Sequence, residues 1–95
     1  MEEALKQLES LGFEKIVVPA EESGCEFDFE YYTYDIESIG LITNSNDFWE
    51  QEGVVVNLFD YEYISWKIPE DIDQVKSLID ILESALNKNN EKNNM

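Results

Sequence analysis

The side chains of this chain that could do chemistry are almost all carboxylates, and their spacing is its most informative feature. Glu26, Asp28 and Glu30 alternate with Phe27, Phe29 and Tyr31. A strand through them would carry the three acids on one face about 6.7 Å apart, with neighbouring strands roughly 4.8 Å away. The same parity runs on into Tyr32 and Tyr34, and Asp35 and Glu37 follow. A second group, Asp60, Tyr61, Glu62 and Tyr63, comes later in the chain.

Paired carboxylates can act as general acid and base, but only in a pocket that drives their pKa values apart. A single small sheet with helices on one face offers little room for one. There is no His to titrate near neutral pH and no Arg to fork onto a phosphate or carboxylate. Asp71-x-Asp73 and Asp60-x-Glu62 look like fragments of a calcium loop, yet both lack its glycine and terminal Glu. A first helical turn and a hairpin tip account for them better. The lone Cys25 excludes an internal disulfide and a Cys-based zinc site, and its acidic neighbours Glu21, Glu22 and Glu26 disfavour a thiolate, so it reads as a small half-buried apolar residue. Gly12, Gly24, Gly40 and Gly53 look like turn and strand-end residues and form no phosphate loop. No catalytic residue, metal ligand or cofactor is expected, and the chain is not expected to be an enzyme.

What remains is charge. Ninety-five residues make one small domain, with 22 Asp and Glu against six Lys and a net charge of -16. The 43% hydrophobic and 13% aromatic content is more than a disordered acidic tail carries, so the chain should fold. From Ile16 to Trp66 there are twelve acids and no lysine, and every aromatic residue but Phe13 lies in the same stretch. Six lysines cannot offset the repulsion from a phosphate backbone, so direct nucleic-acid binding is not expected. The start of the chain lacks the pattern of a signal peptide, and no window is apolar enough for a membrane span, which gives a cytoplasmic expectation without membrane contact.

The elements that must position these residues follow from periodicity. Residues 2–11 read as a helix with Leu5, Leu8 and Leu11 on one stripe, ended at Gly12. Phe13 to Val18 reads as a strand halted by Pro19, residues 20–24 as a loop, and Cys25 to Tyr34 as a strand with its acids and Tyr32 and Tyr34 outward. Ile39 to Thr43 is a short strand, and 44–47 a turn. The even positions Val54, Val56, Leu58, Ile64, Trp66 and Ile68 are apolar, interrupted only by Asp60 and Glu62, and a hairpin with its tip at about 60–62 would hold both arms on one inward face. After Pro69, Val75, Leu78, Ile79, Leu82 and Leu86 follow helical spacing over about 17 residues. Residues 1–87 thus form a single acidic α+β domain: an antiparallel sheet of four to five strands, with an N-terminal and a C-terminal helix on one face. Residues 88–95 read as a disordered Asn/Lys-rich tail.

Acids and tyrosines interleaved on the uncovered face would mimic the charge of a nucleic acid. The expected function is an acidic inhibitor, of the anti-restriction or anti-CRISPR kind, that blocks the basic nucleic-acid-binding surface of a nuclease or other partner protein. The alternatives are an immunity-type inhibitor of a toxin and a non-inhibitory interaction domain. The candidate partner-binding residues are Glu26, Asp28, Glu30, Tyr32, Tyr34, Asp35, Glu37, Asp60, Tyr61, Glu62 and Tyr63.

Overall fold

A computed structural model gives the element order α1 (Glu2–Leu11), β1 (Glu14–Val18), α2 (Ala20–Ser23), β2 (Phe29–Ile36), β3 (Ile39–Thr43), α3 (Asn46–Glu52), β4 (Val54–Leu58), β5 (Tyr61–Ile68) and α4 (Ile72–Asn93). The structure describes residues 2–24 and 26–93, with the backbone alone at 23, 62 and 88–93. Cys25 therefore lies outside the described residues.

The five strands pair antiparallel in the order β1-β2-β3-β4-β5, so each lies beside its neighbour in sequence. With a helix before the sheet and another after it, the fold is α+β, as the sequence implies. Residues directly opposite each other on antiparallel strands share a face. Tyr32, Tyr34 and Ile36 of β2 stand on the same side as Leu41 and Thr43 of β3, Val54 and Val56 of β4, and Trp66 and Ile68 of β5. Ala4 and Leu8 of α1, Trp49 of α3, and Val75 and Ile79 of α4 close over this side to form one core. Leu8 and Val75 are fully buried there, a transfer from water contributing roughly 1.5–3 kcal/mol for each such side chain.

Local chemistry explains the ends of the elements. Gly12 stops α1 at φ 106, and a Cβ there would lie 3.0 Å from the Tyr34 ring, so this position needs glycine for both its conformation and its clearance. In α3, Asp47 sits in the first turn after Ser45, and Gly53, at φ 76, donates its N–H to the Trp49 carbonyl. The Trp49 indole donates to the Asn44 carbonyl at 2.8 Å, and the Asn44 side chain bridges the Gly53 carbonyl and the Val55 N–H.

Four features differ from the sequence reading. Residues 20–23 form a short helix instead of a loop; the Asp28 carboxylate accepts the Ala20 N–H at 2.8 Å, where the first turn leaves a donor unpaired. Residues 46–52 form α3 beyond the turn at 44–45, because Trp49 is needed to fill the core beside Tyr32. Helix α4 continues through 88–93, since extending a helix already formed costs little and Asn and Lys do not stop it. Strand β2 begins at Phe29, not at Cys25, and its even positions face the helices.

Candidate protein-binding face

With Tyr32 and Tyr34 turned inward, the register fixes what the other side of the sheet presents. One row crosses all five strands: Glu14, Thr33, Ile42, Asn57 and Ser65. Beside it Ile16 pairs with Tyr31, Val18 with Phe29, Asp35 with Gly40, and Val55 with Lys67. Ile16, Val18, Phe29, Tyr31, Ile42 and Val55 are half-buried by their neighbours alone, since the core helices α1, α3 and α4 all lie on the opposite side. At the margins Phe27, Phe59 and Tyr63 are 52%, 57% and 82% exposed. Apolar and aromatic groups on this face are thus interspersed with the polar Glu14, Thr33, Asn57, Ser65 and Lys67.

The predicted site residues do not share this face, and the parity of β2 is the reason. The acids Glu26 and Asp28 precede the strand, where both are exposed, and Asp28 is spent on α2. Glu30 is on the helix side near the start of β2; its carboxylate pairs with Lys15 Nζ at 3.4 Å and its N–H donates to Asn46. The flat carboxylate row expected at 26, 28 and 30 is absent. Tyr32, expected outside, is 2% exposed, and Tyr34 is half-buried against Phe13 with ring centroids 5.4 Å apart. By contrast, Asp35, Glu37 and Asp60 are exposed at one end of the sheet, on the adjacent β2–β3 and β4–β5 turns, with Tyr61 and Tyr63 stacked edge to face beside them at 6.1 Å. The Glu62 side chain lies outside the described residues. The acids thus lie at both ends, Glu21, Glu22, Glu26 and Asp28 opposite Asp35, Glu37 and Asp60, and between them the face mixes apolar and aromatic groups with Thr33, Asn57, Ser65 and Lys67.

Residues missed in the sequence are Ile16, Tyr31, Ile42, Val55 and Phe59. The signal was present in Leu41-Ile42 and Val54-Val55-Val56, because a strand apolar at consecutive positions carries apolar groups on both faces. At the turn end the face dips into a depression of about 390 Å³ lined by Tyr31, Thr33, Asp35, Gly40, Ile42 and Phe59. The Phe59 N–H donates to the Gly40 carbonyl at 2.9 Å, which ties the two turns together.

The helix side uses two more acids structurally. The Tyr32 hydroxyl donates to Glu9 at 2.9 Å and that of Tyr34 to Glu83, so each terminal helix supplies one acceptor to a core tyrosine. Burial, then the Glu9 hydrogen bond, raises Tyr32 from 10.0 to about 12; the Glu83 hydrogen bond, then burial, raises Tyr34 to about 12. Below pH 10 both phenols are protonated folded and unfolded, and these interactions contribute in full. From there to pH 12 the unfolded chain loses the two protons while the native chain keeps them, so stability should fall as pH rises. Denaturation midpoints followed from about pH 9 to about pH 11 check this, and Tyr34→Phe should flatten the decline. An unchanged midpoint would mean that the two hydroxyls are solvated.

Among the described residues no cluster of His, Cys, Asp or Glu could hold a metal ion, and no helix is long and apolar enough to cross a membrane. The class defined by fold and face is a five-stranded antiparallel meander, covered by helices on one side and open on the other. No protein-family model, curated protein or solved structure matches the chain.

Proposed function

We propose that this chain is a cytoplasmic protein inhibitor, not an enzyme, whose open sheet face docks on the basic nucleic-acid-binding surface of a partner protein and excludes the nucleic acid. The observation that carries this reading is a sheet face left open by the core helices, bearing exposed aromatic groups at Phe27, Phe59 and Tyr63 and carboxylates at both ends. Protein interfaces combine aromatic anchors with charge around them. Here the rim has one sign, and the net charge of -16 selects a partner of opposite sign. Nucleic-acid-binding proteins combine lysine and arginine with aromatic groups on one surface, which is the complement required. The acids act by steering the encounter from both ends of the face, and not as a regular copy of a phosphate row.

The test is displacement. Proteins of the native host cell are loaded on immobilised DNA, the purified chain is passed over them, and the eluate is compared with that of a buffer wash. A discrete protein should be released by the chain at low ionic strength, where the buffer wash leaves it on the DNA. Release of nothing, or retention of the chain itself on the DNA, would reject the reading.

A further inference from the structure

We propose that the depression between the two turns receives an arginine side chain of the partner; this rests on the function proposed above and names the group recognised. Three observations support it. The volume, about 390 Å³, falls in the small-ligand range of roughly 300–1,000 Å³, and no lysine lines it. The Asp35 carboxylate at its wall is exposed and, among the described residues, forms no hydrogen bond or ion pair. Opposite Asp35 on β3 stands Gly40, where a Cβ would come within 3.2 Å of Asp35 Oδ1 and 3.5 Å of Phe59 Cβ. The missing side chain is what leaves the carboxylate open beside the aromatic groups.

A long cationic side chain suits this combination of walls. Its stem can lie along Ile42 and the rings of Tyr31 and Phe59 while its head meets Asp35, with the Glu37 carboxylate also on the lining. Arginine fits better than lysine, because a planar guanidinium stacks on an aromatic ring, spans both carboxylate oxygens and is more weakly hydrated.

The experiment titrates the isotope-labelled full chain with N-acetylarginine methylamide and follows the backbone amide resonances, with the lysine and citrulline compounds as parallel arms. Citrulline keeps the shape of arginine and removes its charge. The arginine compound should shift the amides of Tyr31, Asp35, Gly40 and Phe59 and bind about fivefold more tightly than the citrulline compound. Asp35→Asn, an exposed change, and Gly40→Ala, which crowds the carboxylate, should each remove most of that preference. Equal binding of arginine and citrulline, tighter binding of lysine, or shifts spread over the acids at both ends of the sheet would overturn the assignment. If the arginine compound binds as stated and the chain releases nothing from immobilised DNA, the depression stands and the inhibitor reading fails. If a partner is released and the depression is silent, the reverse holds.

Discussion

Tyr32→Ala is expected to lower the unfolding free energy by about 3–5 kcal/mol, the usual cost of emptying a buried aromatic site. Tyr32 is 2% exposed, its ring centroid lies 6.3 Å from that of Trp49, and its strand is held to β3 by an N–H donated to Thr43 Oγ1 at 2.9 Å. Removing the ring would leave a cavity between the sheet and both α1 and α3, and helices packed on a meander cannot fill it without moving. Tyr32→Phe keeps the ring and loses the bond to Glu9, so it should cost only about 1 kcal/mol. Against a domain stability of roughly 5–15 kcal/mol the alanine variant should be partly unfolded at 37 °C. Urea midpoints at constant slope measure both variants. If Tyr32→Ala cost less than about 1 kcal/mol, the ring would be at the surface and the parity of β2 reversed. Any loss of partner binding in that variant reports unfolding and not a lost contact.

The larger functional effect belongs to the other parity. Tyr31→Ala combined with Phe59→Ala removes two rings from the open face, both lining the depression, one on β2 and one on the turn between β4 and β5. Phe59 is 57% exposed and Tyr31 half-buried, so the folded state should lose only about 1 kcal/mol. Affinity for the protein released from DNA should fall by at least about 2 kcal/mol, roughly thirtyfold, almost all in faster dissociation. Glu21→Gln, Glu22→Gln and Glu26→Gln together at the far rim should instead slow association and flatten its salt dependence, with dissociation little changed. Surface plasmon resonance at two ionic strengths separates the rates. If the rim variant accelerated dissociation and the double aromatic variant did not, charge would be the anchor and the apolar face a bystander.

How much of this was legible in the sequence depended on what fixed each register. In β4 and β5 Val54, Val56, Trp66 and Ile68 face inward as their alternation implies, because a hairpin constrains both arms at once. The period of Val75, Ile79 and Leu82 likewise identified α4. In β2 a clean alternation from Cys25 to Tyr31 misled, since Glu26 and Asp28 belong to a loop that caps α2. Counted from Phe29 to Ile36, the even set holds two tyrosines and an isoleucine against one acid, and it is the more apolar choice. A strand edge misjudged by four residues was enough to exchange the two faces. Tyr32 and Tyr34 could not be assigned by type, because a tyrosine is buried readily once its hydroxyl finds an acceptor, and the acceptors Glu9 and Glu83 come from opposite ends of the chain. The depression was hidden for the same reason: it needs Asp35 and Phe59, which only the pairing of three strands, β2, β3 and β4, brings together.

The strictly sequential pairing of the strands has a consequence for the chain during its own synthesis. Each strand can pair with its predecessor as soon as it has itself left the ribosome, so the sheet assembles in order, through contacts of short sequence separation. Helix α4, which brings Val75 and Ile79 to the core, is made only afterwards. In the interval the nascent sheet has one face that never acquires a cover and another still waiting for part of its cover, the state in which β proteins aggregate. Carboxylates spread along both ends of every nascent chain repel like molecules emerging from neighbouring ribosomes, so the surface that selects a partner in the finished protein keeps the unfinished one in solution.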